Sequence, residues 1–224
     1  MKSSVVLLSG GLDSAVCLAT ALEESRNVVA LSFKYSQRHK KELDCAKKLA
    51  RHFGVKHIVS DIPGFSIWKG SSLTDLSLAI PIHTGTSSGK IPNTYVPARN
   101  TVFLSLALSL AESMDFGNLY IGVNAIDYSN YIDCRPIFIE KFQNLMNVAT
   151  KRAVEEKRPI ALKTPLLYHS KAEIIKLGTR LEIPFEITWS CYKGNHNPCG
   201  RCDSCFLRLK GFKEANIEDP LVYP

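Results

Sequence analysis

Two clusters in this 224-residue chain combine residue types and spacings that could do chemistry. The first is Ser9-Gly10-Gly11-Leu12-Asp13-Ser14, which follows the apolar run Val5 to Leu8 and precedes a helical pattern. Adjacent glycines let a backbone take positive φ and approach an anion closely. The N–H groups at a helix start, with the helix dipole, favour phosphate. On this reading Leu8 to Ser14 cradle a nucleotide. Ser9 and Ser14 add hydroxyl donors, and Asp13 orients the loop or holds a phosphate-bound metal ion. The plainer alternative is a Gly-Gly turn capped by Asp13. No Gly-Lys-Ser/Thr follows, so the segment is not a Walker A loop.

The second cluster is Cys191, Cys199, Cys202 and Cys205, the last three on the tight run Cys-Gly-Arg-Cys-Asp-Ser-Cys. Four thiolates at this spacing suit a closed tetrahedral zinc site, structural because no coordination position is left open. An iron–sulfur cluster, or His196 in place of Cys191, would use the same residues. The surrounding tail, Lys193 to Glu214, carries a small excess of basic residues that four thiolates and one Zn²⁺ nearly balance. That weakens the case for a nucleic-acid-reading zinc module. Cys17 and Cys45 read as small buried hydrophobes.

Positioning these clusters requires a scaffold. Continuous apolar runs at Val5–Leu8, Val28–Leu31, Ile58–Val59, Leu119–Val123 and Ile160–Leu162 predict strands covered on both faces. Helical patterns alternate with them. Ser14–Glu24 is one. Lys40–Phe53 is another, with Leu43, Ala46, Ala50 and Phe53 on one stripe and Gly54 past its end. After Asn100 a long helix shows a single narrow polar stripe (Thr101, Ser105, Ser109, Glu112), which predicts burial of the rest. Ser170 and Glu173 make a capping box before Ala172–Leu181. The alternation predicts an α/β fold with a doubly wound parallel sheet. Residues 1–186 would form this nucleotide domain, and 187–224 a small C-terminal zinc-binding region. Between Asp61 and Asn100 the periodicity fails, and the Gly/Ser/Thr-rich stretch 84–94 reads as a lid or as a disordered surface loop.

Composition sets the class. Hydrophobic residues are 45% and charged residues 22%, which excludes a disordered chain. The apolar run at the N-terminus is too short for a signal peptide, and Val102–Leu110 is too short for a bilayer span. A soluble, cytoplasmic protein is expected. Seven cysteines then point to thiols or metal, not to disulfides. The net charge is +7, of which +5 lies between Lys34 and Arg51. That stripe fits an anionic ligand, or a solvated helix face.

The Ser-Gly-Gly-x-Asp-Ser loop between first strand and first helix resembles the PP-loop of ATP pyrophosphatases, which split ATP between the α and β phosphates to activate an oxygen as an adenylate. Further segments narrow the resemblance: Phe33-Lys34-Tyr35-Ser36-Gln37-Arg38-His39, Tyr95-Val96-Pro97-Ala98-Arg99-Asn100, Gly122 to Arg135, Ser190-Cys191-Tyr192, and Cys199 to Arg208. Together with the loop, and over nearly the whole chain, they resemble the 7-cyano-7-deazaguanine synthase family. Members of that family usually have Gly at the positions of Ala98 and Asn130, and Pro at that of Ile132.

The resemblance implies an ATP-dependent ligase: 7-carboxy-7-deazaguanine and ammonia become 7-cyano-7-deazaguanine, with AMP and pyrophosphate released. It implies zinc on the four cysteines, Mg²⁺ with ATP, a homodimer and no requirement for nucleic acid. Asp13, Arg38, Arg99 and Arg135 become catalytic candidates, because a guanidinium binds phosphate or carboxylate bidentately. Structural ion pairs are the alternative for the arginines. Gln37, His39, Asn124, Asp127 and Asp133 become candidates for the substrate. The aspartates would accept from the N–H groups of a guanine-like base or cap loops, and His39 would carry protons or cap. Two other readings use the same features: a PP-loop enzyme that modifies tRNA directly, and a non-catalytic zinc-containing nucleotide sensor.

Overall fold

A computed structural model describes residues 2–63, 70–85, 90–126 and 131–224. The apolar runs become five parallel strands: β1 (Ser3–Leu7), β2 (Asn27–Lys34), β3 (Lys56–Asp61), β4 (Asn118–Tyr120) and β5 (Ala161–Lys163), in the order β3-β2-β1-β4-β5. Successive side chains leave a strand on opposite faces. Val6, Leu8, Val28 and Ala30 therefore enter one core layer, and Val5, Leu7, Val29 and Leu31 the other.

Helices α1 (Leu12–Glu24), α2 (Lys41–His52), α6 (Lys171–Arg180) and α7 (Asp203–Ala215) contribute to the first layer. Helices α3 (Arg99–Ser113) and α4 (Pro136–Ala149) close the second, and a short α5 (Lys151–Val154) follows α4. This is the doubly wound parallel sheet that the alternation of elements predicts. The capping box of α6 is present, with Ser170 accepting from the Glu173 N–H and the Glu173 side chain reaching back. Gly54 takes positive φ just after α2. Between Asp61 and Arg99 the described residues form neither strand nor α-helix.

One expectation needs correction. Helix α3 is not buried outside its polar stripe: Leu106 is 40% exposed, while Leu104, Ala107, Leu108 and Ala111 are buried. The helix covers the sheet with one flank only. Ile137, Leu145 and Val148 on α4 are likewise exposed. Among the described residues no helix is long and apolar enough to cross a membrane.

Candidate active site

The strand order reverses direction at β1, between β2 on one side and β4 on the other, so a crevice opens beyond their carboxyl ends. A cavity of about 320 Å³ lies there, within the range of small-molecule sites. The Ser9–Ser14 loop forms one wall. Gly10 has φ +88°, and a Cβ on it would sit 2.0 Å from the Glu42 carbonyl oxygen, so only glycine lets α2 close on the loop. Gly11 N–H donates to Ser9 Oγ at 3.2 Å, Ser9 Oγ donates to Ser14 Oγ at 3.0 Å, and Ser14 Oγ donates to the Gly11 carbonyl at 2.9 Å. The two hydroxyls brace the loop. Helix α1 starts at Leu12, and helix geometry leaves its first N–H groups without intrahelical partners.

Leu8, Ser9, Gly11, Leu12, Asp13 and Ser14 line the cavity, as do Gln37, Arg38, His39, Arg99 and Asn124. Gly10 shapes the loop from behind. Asp133 and Arg135 are not among the lining residues. Asp133 is buried and accepts the Asn100 N–H at 3.0 Å, capping α3 at the turn that presents Arg99. Arg135 Nε donates to the Ile132 carbonyl at 3.1 Å. Asp127 and Asn130 lie outside the described residues, as do residues 86–89 of the Gly/Ser/Thr-rich stretch.

Several lining side chains also hold the scaffold. Arg38 donates to the carbonyls of Ser72 and Leu78, both at 2.9 Å, and so fastens the 71–78 segment over the site. Gln37 accepts from the Tyr35 N–H and donates to the Phe33 carbonyl. Asn124 accepts from the Ile126 N–H and donates to the His169 carbonyl. Arg99 donates to Tyr35 Oη at 3.3 Å. Burial opposes the Arg99 charge, but Tyr35, Tyr131 and Asp133 outweigh it and hold its pKa above the ordinary value. Tyr131 Oη in turn lies 2.8 Å from Thr94 Oγ1 and 3.2 Å from Tyr192 Oη. His39 Nδ1 is buried with no hydrogen-bond partner among the described residues, and burial lowers its pKa.

Two charged groups in this wall escape the sequence reading. Lys171 Nζ lies 2.7 and 2.8 Å from the carboxylate oxygens of Asp13. Its sequence signal is a lysine at the first position of a capped helix, where the dipole disfavours a cation. Glu42 also lines the cavity, and burial raises its carboxyl to about 7 against the pull of Arg99.

The four sulfurs of Cys191, Cys199, Cys202 and Cys205 all lie within 4.8 Å of one another. Zinc–sulfur bonds of about 2.3 Å in a tetrahedron separate sulfurs by roughly 3.8 Å, so the set fits one metal ion. Cys191 Sγ also accepts the Lys193 and Cys199 N–H groups. His196 is exposed and turned to Asn197. The cysteine knuckle touches the glycine loop through Trp189, whose backbone N–H donates to the Gly10 carbonyl at 2.9 Å. Cys17 and Cys45 are buried, Cys45 against the knuckle. Of the α2 lysines, Lys40, Lys47 and Lys48 face solvent. Lys41 instead bends onto the knuckle, over the Trp189 ring and to the His196 carbonyl.

A glycine loop at the switch point of a parallel sheet, facing an arginine-containing cavity, defines an α/β protein of the PP-loop type. Residues 3–216 match the family described as Queuosine biosynthesis protein QueC, and the chain belongs to that family. It is 52% identical over 213 residues to a 7-cyano-7-deazaguanine synthase of Prochlorococcus marinus (strain MIT 9301), covering 95% of this chain and 94% of the relative. It is also 52% identical over 227 residues to one from Coxiella burnetii (strain RSA 331 / Henzerling II), covering 100% and 98%. Among solved structures, NMN synthetase from Francisella tularensis aligns with a TM-score of 0.53 at 14% identity, over 97% of this chain and 78% of that one. A predicted subunit of a tRNA methyltransferase from Methanocaldococcus jannaschii aligns at 0.51 and 18%, over 80% and 75%. These two share the fold.

Proposed function

We infer that the chain is a 7-cyano-7-deazaguanine synthase, an ATP-dependent ligase that forms carbon–nitrogen bonds. The observation that carries this reading is that the Ser9–Ser14 loop, Arg38 and Arg99 line one cavity in a chain of this family.

In the proposed reaction the carboxylate of 7-carboxy-7-deazaguanine attacks the α-phosphate of ATP and pyrophosphate leaves. Ammonia displaces AMP from the acyl adenylate and gives the amide. A second ATP activates the amide oxygen, and loss of AMP with a proton gives the nitrile. The N–H groups that open α1 and the hydroxyls of Ser9 and Ser14 would hold phosphate. Arg38 and Arg99 would balance charge on phosphate or carboxylate, Arg135 acting at the rim. Gln37, His39 and Asn124 would orient the base from the cavity wall, with Asp127. Asp133 would act through α3, by holding Arg99. Positioning, cation neutralisation and exclusion of water supply the catalysis, with no protein nucleophile. Mg²⁺ with ATP would add charge neutralisation at Asp13.

The metal on the four cysteines is proposed to be one structural zinc per chain, holding residues 187–224 as a small region on the 1–186 domain. Elemental analysis should give about one zinc per chain, and iron with acid-labile sulfide would overturn it. The exposed apolar residues of α3 and α4 support a homodimer, to be checked by sedimentation. The activity is proposed to be cytoplasmic. The functional test is release of AMP and pyrophosphate that depends on 7-carboxy-7-deazaguanine. Release that depends on tRNA instead would favour the RNA-modifying alternative.

A further inference from the structure

The Lys171–Asp13 pair joins two elements far apart in sequence, and a third element sets its geometry. Lys171 opens α6, and its side chain is only 14% exposed. Helix α7 confines the stem of that side chain. A Cβ at Gly211 would lie 2.3 Å from Lys171 Cγ and 2.8 Å from Lys171 Cβ. The lysine methylenes thus cross bare α7 backbone before the ammonium reaches Asp13. Gly211 is buried within its helix, where glycine costs about 1 kcal/mol relative to alanine. Close approach of the lysine stem is the reason for a glycine there. The same helix begins at Cys202 as N-cap and carries Cys205, so the knuckle and the nucleotide loop share one rigid connection.

We propose that Gly211 and Lys171 form a positioning relay for the nucleotide loop: the glycine sets the path of the lysine stem, and the ammonium fixes the Asp13 carboxylate for nucleotide binding. The proposal rests on the reading of Leu8 to Ser14 as a nucleotide loop. Lys171 and Gly211 are positioning residues, acting through Asp13.

The test is a double-mutant cycle on the full chain: wild type, Gly211→Ala, Lys171→Ala and the double variant. One readout is calorimetric affinity for α,β-methylene ATP with Mg²⁺; the other is kcat for AMP formation. Lys171→Ala is expected to weaken the analogue about tenfold and to lower kcat by about 100-fold, as a misplaced group does. Gly211→Ala should cost about fivefold and about tenfold, with KM for the carboxylate substrate unchanged. In the Lys171→Ala background, the Gly211 change should cost less than in the wild type, because the closest contact, Lys171 Cγ, is gone, although Lys171 Cβ and Ile175 Cδ1 remain 2.8 and 3.0 Å from the added carbon. Lys171→Arg should restore part of the analogue affinity.

A Gly211→Ala penalty of the same size in both backgrounds would overturn the relay. Wild-type affinity and turnover in Lys171→Ala would overturn it too. Lys171→Met keeps the stem and loses the ammonium, so it decides the ammonium's role even if Gly211→Ala does not fold. Wild-type kcat in that variant counts against the relay. If wild-type chain bound the analogue but formed no AMP, the proposed reaction would fail, and the binding cycle would still decide the relay.

Discussion

Two carboxylate–cation pairs in the α6–α7 layer use the same chemistry for different ends. In the tail, Arg208 Nε and Nη2 meet the two oxygens of Asp219 at 2.8 and 2.9 Å, with side chains 2% and 6% exposed. Thr188 Oγ1 and the Phe185 carbonyl accept two more Arg208 N–H groups, and Tyr223 Oη donates to Asp219. Arg208 also lines the cavity, but its carboxylate partner Asp219 does not, and four of the five Arg208 N–H groups are spent on holding the tail. At the glycine loop, Asp13 is 29% exposed and lines the cavity. A carboxylate held on one side and open on the other is still available to a ligand. Burial and ion pairing alone do not mark a functional group; the open side does.

Removing the carboxylate at the loop should separate the two pairs most sharply. Asp13→Ala is expected to lower AMP formation by at least about 1,000-fold, as loss of a preorganised polar group does, while circular dichroism stays that of the wild type. Turnover near the wild-type rate would collapse the distinction. Arg208→Ala should do the reverse. It leaves Asp219 buried without its partner and should cost about 3–5 kcal/mol in urea unfolding. The fraction still folded should bind an ATP analogue normally.

The cavity itself differs between low and high pH. The Glu42 carboxyl is raised from 4.5 to about 7 by burial. Between those values the unfolded chain gives up a proton that the folded chain keeps, so stability falls as pH rises through that window and levels off above it. Above pH 7 the ionised carboxylate would oppose a bound triphosphate, and analogue affinity should drop about threefold to tenfold. Glu42→Gln should remove the step, as calorimetry across pH 5.5–8.5 would reveal. The smallest effect concerns Ala98. It sits at φ +52°, ψ +24° before α3, in the left-handed region that favours glycine. Ala98→Gly should stabilise the chain by about 0.5–1 kcal/mol, the left-handed strain relieved less the added chain entropy. A lower unfolding midpoint would contradict that.

Legibility followed distance along the chain. The Ser9–Ser14 loop is contiguous with its strand and helix, so its residues announce the turn, the helix start and the anion site together. Cys199, Cys202 and Cys205 are equally local, and Cys191 was within reach of the same spacing argument. Lys171 was not legible, because its place beside Asp13 depends on how α6 packs on α1 and on the bare backbone at Gly211. Asp133 could be picked out by type, but its bond to the Asn100 N–H spans a loop that no periodicity describes. The exposure of Leu106 was hidden for another reason: a polar stripe shows which side of a helix faces water, not whether the apolar remainder has enough neighbours to cover it.

The hydrogen bond from Trp189 to Gly10 carries a consequence for timing. During synthesis the glycine loop is made before its fastening residue, which follows 179 positions later. At translation rates of about 5–20 residues per second, the interval is roughly 10–40 s. β1 likewise waits for β4, its second neighbour, whose Leu119 pairs with Val5. Through that interval the nascent chain holds the glycine loop without its latch, and until β4 is made it holds an apolar central strand with one uncovered edge. A chain cut short before Trp189 would carry the whole loop motif without the latch that fastens it.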